Sequence, residues 1–234
     1  MLQIGDYEFN LAESYGKGSF GTIFKGKHLT TGNDVAGKKL TVEKEFENRY
    51  DKEANLLKNI PPHPNVLRVC DIEKREYEQG GIDYVDIWII TELLHFPLRG
   101  YAKQYELSLE DKLELMIGCC RGLYHLHQNG IIHRDLKPDN IMIKVKEDGK
   151  PVIKIIDFGE SRFVDRYQGR TLEMNSFVGT PLYMAPEQLE REGNRCTPNY
   201  TTSVDVFALG ITFLSLVKAK AGILMETYKG IYMS

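Results

Sequence analysis

The chain has 234 residues, a length that suits one domain with one or two hydrophobic cores. Its formal net charge of −3 argues against the broad basic surface of a nucleic-acid-binding or polybasic membrane-binding protein. The chain start resembles no secretory signal, and the apolar stretch 207–217 is too short to span a bilayer. The four cysteines lack metal-ligand spacing, so we expect reduced thiols and a cytoplasmic protein with access to the nucleus.

Short segments with strand character occupy the first ~90 residues. They lie at 9–14, 22–28, 35–40, 67–72 and 84–91, and the Gly, Asn and Asp residues between them predict an antiparallel meander. One helix interrupts this series and ends at Pro61-Pro62. It is predicted from apolar residues that recur every three or four positions, namely Phe46, Tyr50, Ala54, Leu57 and Ile60.

Helical periodicity begins near Ser108, which is placed as an N-cap. One apolar face is predicted for this helix, formed by Leu113, Met116, Ile117, Cys120, Leu123, Tyr124 and His127. A second helix is predicted at 203–218. The pattern therefore predicts a small β-rich part followed by a helical part, with a boundary at 93–98.

Residues 133–140 read H-R-D-L-K-P-D-N and place a carboxylate, a cation and an amide close together in the chain. Phosphoryl transfer needs such a set: an acid to orient a hydroxyl, a cation for the phosphate charge and an oxygen ligand for magnesium. D-F-G follows at 157–159 and A-P-E at 185–187. With these motifs the chain resembles the eukaryotic protein kinases of the serine/threonine type.

The resemblance implies an α+β, bilobal protein-kinase-like fold, with a small antiparallel β lobe containing one helix and a large, mainly helical lobe. It implies one kinase domain over 1–234, divided into an N-lobe at 1–93, a hinge at 94–98 and a partial C-lobe at 99–234. The implied activity is transfer of the ATP γ-phosphate to a serine or threonine of a protein substrate, with Mg²⁺ as cofactor. A nucleotide-binding, catalytically inactive scaffold or fragment is the alternative, because the family continues through further helices after residue 218.

A glycine-rich loop precedes the second predicted strand, and free backbone N–H groups in such a loop can bind phosphate. Because a strand and not a helix follows, a kinase-type hairpin is favoured over a dinucleotide-binding turn. The resemblance then assigns ATP contacts to Ile23, Ala36 and Lys38, with Lys39 as a rival for the lysine. Gly37 departs from the usual aliphatic residue and is expected to loosen this strand. The loop residues assigned to ATP are Gly16, Lys17, Gly18, Ser19, Phe20 and Gly21.

Further ATP contacts are implied by the resemblance at the end of the last predicted small-lobe strand. Thr91 corresponds to the gatekeeper, and the hinge of Glu92, Leu93 and Leu94 would bond adenine through its backbone. Met142 would lie beneath adenine. Glu53, on the interrupting helix, would pair with Lys38.

The catalytic roles follow the same motifs. Asp135 is the catalytic carboxylate, Lys137 stabilises the transferred phosphate, and Asn140 and Asp157 hold magnesium. His133 is interpreted as a packing residue. His125 and His127 lie about 200° apart around a helix and do not form a shared metal site.

The resemblance also implies roles around the activation loop. Ser176 is the expected phosphorylation site for an upstream kinase, with Arg134 as the partner of the phosphate. Thr180 would contact the catalytic Asp and Lys. Glu187 would pair with an arginine that has no counterpart in this chain, and Asp205 would brace the catalytic loop.

Overall fold

The computed structural model describes residues 1–18, 21–48, 50, 58–163, 179–189, 191–192, 195–196 and 201–217. Two units can be distinguished. The first consists of Met1–Pro62 and Leu67–Leu94, and the second consists of His63–Val66 and the chain from His95 onward. Residues 63–66, which the sequence predicts in the N-lobe, belong to the second unit. Val66 forms a parallel bridge with Ile155, and Asn65 Nδ2 donates to the Ile153 carbonyl at 3.2 Å.

The first unit is built on an antiparallel sheet. In the described residues its strands follow the order β1-β2-β4-β5-β7-β6, and β3 pairs with β4. The strands are β1 (Leu2–Ile4), β2 (Tyr7–Phe9), β3 (Gly16–Gly18), β4 (Gly21–His28), β5 (Asp34–Glu43), β6 (Val69–Gln79) and β7 (Ile82–Glu92). The predicted antiparallel pairing is therefore confirmed, but the simple meander order is wrong, because β7 lies between β5 and β6.

Some strand boundaries differ from the prediction. The strand predicted at 9–14 is wrong, because β2 ends at Phe9 and the chain turns, with the Asn10 side chain accepting from Ala12 N at 3.0 Å. β6 continues well beyond residue 72. Its turn into β7 is made by Gly80 and Gly81, whose φ angles of 63° and 80° suit glycine.

The interrupting helix is described only at its ends. A 3₁₀ turn at Lys44–Phe46 precedes helical backbone at Glu47 and Asn48, and Lys58 and Asn59 are helical again. Most of the predicted helix, including Glu53, lies outside the described residues.

Phe9 is the centre of the core on one face of this sheet. Its ring is fully buried and stacks on Trp88, with ring centroids 4.9 Å apart. A Cβ atom at Gly37 would lie 2.5 Å from Phe9 Cε1, and one at Gly26 would lie 2.5 Å from Phe9 Cδ1. Gly37 thus has a different role from the loosening that was expected: it makes room for the ring that crosses β5.

The second unit contains helices and short sheets. Its helices are α1 (Leu98–Gln104), α2 (Leu109–Gln128), α3 (Pro186–Leu189) and α4 (Ser203–Val217). Its described strands are β8 (Phe96–Pro97), β9 (Ile131–Ile132), β10 (Ile141–Val145), β11 (Pro151–Ile155), β12 (Arg162–Phe163), β13 (Arg191–Glu192) and β14 (Arg195–Cys196). The strands β8 to β14 were not anticipated from the sequence. No helix within the described ranges is long and apolar enough to cross a membrane.

Helix α2 begins as predicted but buries a different face. The Ser108 cap is confirmed, since Ser108 Oγ accepts from Asp111 N at 3.1 Å and Asp111 Oδ2 accepts from Ser108 N at 3.0 Å. The buried residues are Leu115, Gly118, Cys119, Gly122, Leu123 and Leu126. Among the residues predicted to be buried, those found exposed are Leu113, Ile117, Cys120 and Tyr124.

Close packing explains this choice of face. A Cβ atom at Gly118 would lie 2.9 Å from Ile153 Cγ1, and one at Gly122 would lie 2.6 Å from the Asn65 carbonyl oxygen. The two glycines therefore let β11 and the segment around Asn65 approach the helix backbone. A helix face predicted from the spacing of large apolar side chains does not include such glycine contacts.

We expect Gly37→Ala to lower the free energy of unfolding by about 1–3 kcal/mol, because the new methyl group would overlap the Phe9 ring. The cost should be about 1 kcal/mol smaller in a Phe9→Leu background, since leucine lacks the Cε1 and Cζ atoms that clash. Urea unfolding of the native chain, the two single variants and the double variant measures the coupling free energy between positions 9 and 37.

Gly210→Ala is the matched control, because no atom of the described residues lies within 4 Å of a Cβ atom at this position of α4. It should be neutral or should stabilise by up to about 1 kcal/mol. Equal costs of Gly37→Ala in both backgrounds would contradict the proposed fit between Gly37 and Phe9.

Candidate active site

The segment 133–140 runs from β9 to β10 and ends in a 3₁₀ turn at Pro138–Asn140. At Arg134 the backbone has a φ of 71°, a left-handed conformation that is uncommon for a non-glycine residue. Such a conformation persists only where neighbouring groups hold it. The structure therefore needs a specific support beneath this segment.

Asp205 supplies that support from the first turn of α4. Its fully buried carboxylate accepts from the His133 N–H through Oδ2 and from the Arg134 N–H through Oδ1, both at 2.8 Å. His127 Nε2 also lies 2.8 Å from Oδ2. One buried carboxylate thus holds two consecutive N–H groups, as the sequence-based assignment of Asp205 expects.

Asp135, Lys137 and Thr180 form a closed triangle of hydrogen bonds. Lys137 Nζ lies 2.6 Å from Asp135 Oδ2 and 2.8 Å from Thr180 Oγ1. Thr180 Oγ1 in turn donates to Asp135 Oδ1 at 2.9 Å. The structure therefore brings the predicted carboxylate and ammonium together, and orients the carboxylate from both oxygens.

The segment that carries Thr180 is anchored in the second unit. Gly179 has a φ of 119°, and a Cβ atom there would lie 2.8 Å from the Arg134 carbonyl oxygen. Tyr183 N donates to the Thr180 carbonyl at 2.8 Å, and the Tyr183 side chain is buried. Burial raises the pKa of Tyr183, although nearby Arg99 opposes the shift, so the phenol stays protonated.

The side chain of Asn140 is held by Asp135. Its Nδ2 donates to the Asp135 carbonyl at 2.8 Å and to Asp135 Oδ2 at 2.9 Å. With its nitrogen engaged in this way, the side chain offers the amide oxygen as its remaining ligand atom. The Asn140 carbonyl accepts from Ile156 N at 3.0 Å, which ties it to the residue before Asp157.

Asp157 also has left-handed backbone, with a φ of 61°. Gly159 N lies 3.4 Å from its Oδ1, and Ser161 N donates to the Phe158 carbonyl at 2.9 Å. The aspartate predicted to bind metal is therefore held in a tight local turn.

His133 does more than the packing role assigned to it from the sequence. Its Nε2 lies 2.9 Å from the Ile156 carbonyl, so Nε2 must carry the hydrogen. Its Nδ1 is the acceptor 3.4 Å from Asp135 N, and its carbonyl accepts from Ser161 Oγ at 3.3 Å. This buried histidine links the catalytic segment to the residues on both sides of D-F-G. In the sequence, only the position of His133 in the H-R-D motif indicated that it could link these segments.

The pairing of β5 with β7 distinguishes Lys38 from Lys39, the other candidate for the nucleotide-binding lysine. Lys39 lies opposite Trp88, and its Nζ pairs with Asp86 Oδ2 at 2.8 Å. Successive side chains of a strand point to opposite faces, so Lys38 lies on the other face from Lys39. Lys38 shares its face with Ala36, which favours it as the nucleotide-binding lysine.

The residues predicted around the purine occupy neighbouring strands on that face. Ile23 lies opposite Lys38 across β4 and β5, and Ala36 lies opposite Thr91 across β5 and β7. The Thr91 hydroxyl donates to the Glu92 carbonyl at 3.2 Å. Gly21 closes the glycine-rich hairpin, where a Cβ atom would lie 2.4 Å from the Lys39 carbonyl oxygen.

The predicted hinge begins at Glu92, the last residue of β7, and continues into Leu93 and Leu94. Glu92 is buried, and its Oε1 accepts from Arg68 N at 3.0 Å. The Leu94 carbonyl accepts from the Tyr15 hydroxyl at 2.9 Å. Met142 belongs to the second unit, where it lies in β10 opposite Pro97.

Several predicted site residues lie outside the described residues. These are Ser19, Phe20, Glu53 and Ser176. Their roles, including phosphorylation of Ser176 and its pairing with Arg134, stay predictions. Glu187 is described: it is half-buried, and its Oε1 accepts from the Ser203 hydroxyl at 3.3 Å.

A family model described as Protein kinase domain matches residues 9–231, so the chain belongs to the protein kinase family. Over 90% of its length the chain is 30% identical to Misshapen-like kinase 1 of Rattus norvegicus and 30% identical to serine/threonine-protein kinase mig-15 of Caenorhabditis elegans. It is 32% identical, again over 90%, to serine/threonine-protein kinase 4 homolog B of Dictyostelium discoideum. The chain spans 15%, 19% and 17% of these three relatives.

Proposed function

We propose that this chain is a protein serine/threonine kinase that transfers the γ-phosphoryl group of ATP to a hydroxyl group of a protein substrate. The observation that carries the proposal is the hydrogen-bonded triangle of Asp135, Lys137 and Thr180. The family match to a protein kinase domain supports ATP-dependent phosphotransfer. The serine/threonine kinases among its relatives support the class of acceptor.

Asp135 orients the acceptor hydroxyl and takes its proton as the oxygen forms its bond to the γ-phosphorus, while the bond from this phosphorus to the β-γ bridging oxygen breaks and ADP leaves. Lys137 lies beside this carboxylate and opposes the negative charge of the transferred phosphoryl group. Thr180 holds the second carboxylate oxygen, so that the orientation of the base does not depend on the lysine alone. The Asp205 contacts keep the backbone under this set in place.

The donor set also suits Mg²⁺. Asn140 and Asp157 supply oxygen ligands, which this ion prefers, and the bonds from Asn140 Nδ2 to Asp135 leave the amide oxygen as the ligand atom. When bound, Mg²⁺ neutralises phosphate charge. Asn140 would hold it from the catalytic segment, and Asp157 from the D-F-G turn.

Phosphotransfer by the purified 234-residue chain tests the proposal. With Mg²⁺ and labelled ATP, we expect label on serine or threonine of a generic basic protein. Folded chain that binds ATP but transfers no phosphate would contradict the proposal and favour the scaffold function.

Lys38 and Lys39 provide a matched pair of variants for the nucleotide site. Lys38→Met should lower kcat/KM for ATP by about 10²- to 10³-fold, because it removes a cation that faces phosphate. Lys39→Met should retain activity, because its ammonium pairs with Asp86 on the other face of β5. Steady-state kinetics at saturating protein substrate measure both, and an equal loss in the two variants would contradict the assignment of Lys38.

A further inference from the structure

Tyr15 makes a hydrogen bond that the motifs do not predict. Its hydroxyl donates to the Leu94 carbonyl at 2.9 Å, although 79 positions separate the two residues in the chain. Tyr15 directly precedes the glycine-rich hairpin, and its N–H donates to the Ile23 carbonyl at 2.8 Å. The tyrosine is thus held by its backbone at the base of the hairpin and by its hydroxyl at the end of the first unit.

The acceptor of this bond belongs to the predicted purine site. The resemblance to the protein kinases implies that backbone groups of Glu92, Leu93 and Leu94 bond adenine. The Leu94 side chain is buried, whereas Tyr15 is 45% exposed. The hydroxyl therefore reaches a hinge carbonyl from the solvent-accessible side of the first unit.

We propose that Tyr15 determines purine selectivity: its hydroxyl occupies the Leu94 carbonyl and disfavours purines that carry a hydrogen-bond donor at C2. This inference rests on the proposed function, because it assumes that the hinge binds a purine with C2 beside the Leu94 carbonyl. Adenine has only a C–H group at C2 and does not need this carbonyl as an acceptor. A 2-amino group is a strong donor, and it would meet a carbonyl that already accepts from the tyrosine hydroxyl.

The chemistry sets the direction of the effect. In the native chain, the Tyr15 hydroxyl takes one of the two lone pairs of the Leu94 carbonyl, so a 2-aminopurine must share this acceptor with Tyr15 or displace its hydroxyl. In Tyr15→Phe the carbonyl has lost its hydroxyl donor and can accept from the 2-amino group directly. Removing one hydroxyl should therefore improve binding of 2-aminopurine nucleotides relative to ATP.

Equilibrium binding of ATP and of 2-aminoadenosine triphosphate to the full chain tests this inference. The ratio of the two dissociation constants, 2-amino nucleotide over ATP, should fall about 3- to 10-fold in Tyr15→Phe. Tyr77→Phe is the matched control. Tyr77 lies in the same unit, where its ring stacks on Tyr84 with centroids 5.7 Å apart.

The outcomes separate this inference from the proposed function. A ratio that falls in Tyr15→Phe but not in Tyr77→Phe supports it, whether or not the chain transfers phosphate. An unchanged ratio in a chain that binds ATP overturns the role of Tyr15 alone, as does an equal fall in both variants. A folded chain that binds neither nucleotide overturns both. Thermal unfolding of each variant establishes that it is folded.

Discussion

Asp135→Asn is expected to lower kcat for phosphotransfer by about 10²- to 10⁴-fold. The amide has nearly the same shape as the carboxylate but cannot take the proton of the acceptor hydroxyl. It also presents an NH₂ group where the carboxylate accepts from Lys137, Thr180 or Asn140. Initial rates of phosphate transfer from ATP to a basic protein measure the loss.

Asp139→Asn is the control within the same octapeptide. Asp139 is exposed and lies four positions after Asp135. The control should keep near-native activity, because it makes the same chemical change without altering the triangle of hydrogen bonds. If Asp135→Asn kept more than about a tenth of the native rate, the carboxylate would not be the catalytic base.

Asp205→Asn is expected to cost about 2–4 kcal/mol of folding free energy and at least about tenfold in activity. Asparagine has one acceptor oxygen, so it can satisfy only one of the N–H groups of His133 and Arg134. Its NH₂ group would face the other N–H in a site without solvent exposure. The left-handed backbone at Arg134 then loses part of its support.

Thr212→Val provides the comparison in the same helix. Thr212 is also fully buried, but among the described residues its hydroxyl donates to the Ala208 carbonyl within α4, at 2.9 Å, and not to another element. Its loss should cost about 1 kcal/mol without lowering the specific activity. Urea unfolding measures the stability of Asp205→Asn and Thr212→Val. Phosphotransfer rates, measured well below the melting temperatures of both variants, show whether activity is lost in folded protein. Full activity in folded Asp205→Asn would show that the catalytic segment does not depend on this carboxylate.

Local sequence determined the chemistry and the antiparallel pairing of the small unit, whereas the insertion of β7 between β5 and β6 was decided by the tertiary structure. Asp135, Lys137 and Asn140 lie within six consecutive positions, so a short chain segment was enough to show that they act together. The antiparallel pairing was predicted from short strands that are joined by turn residues. The motif and the strands with their turns are both local features of the chain, so they can be recognised without knowing which distant residues are in contact.

Only the tertiary structure decided which face of an element is buried and which partner a polar group takes. Helix α2 buries the face that carries Gly118 and Gly122, where its neighbours approach the backbone closely. Leu113 and Ile117 lie outside this face and stay exposed, although they are as large as the leucines that the face buries. Likewise, the bond between Tyr15 and Leu94 joins groups that are far apart in the chain. Such contacts depend on where the folded chain brings its segments together, and this information is distributed over the whole sequence.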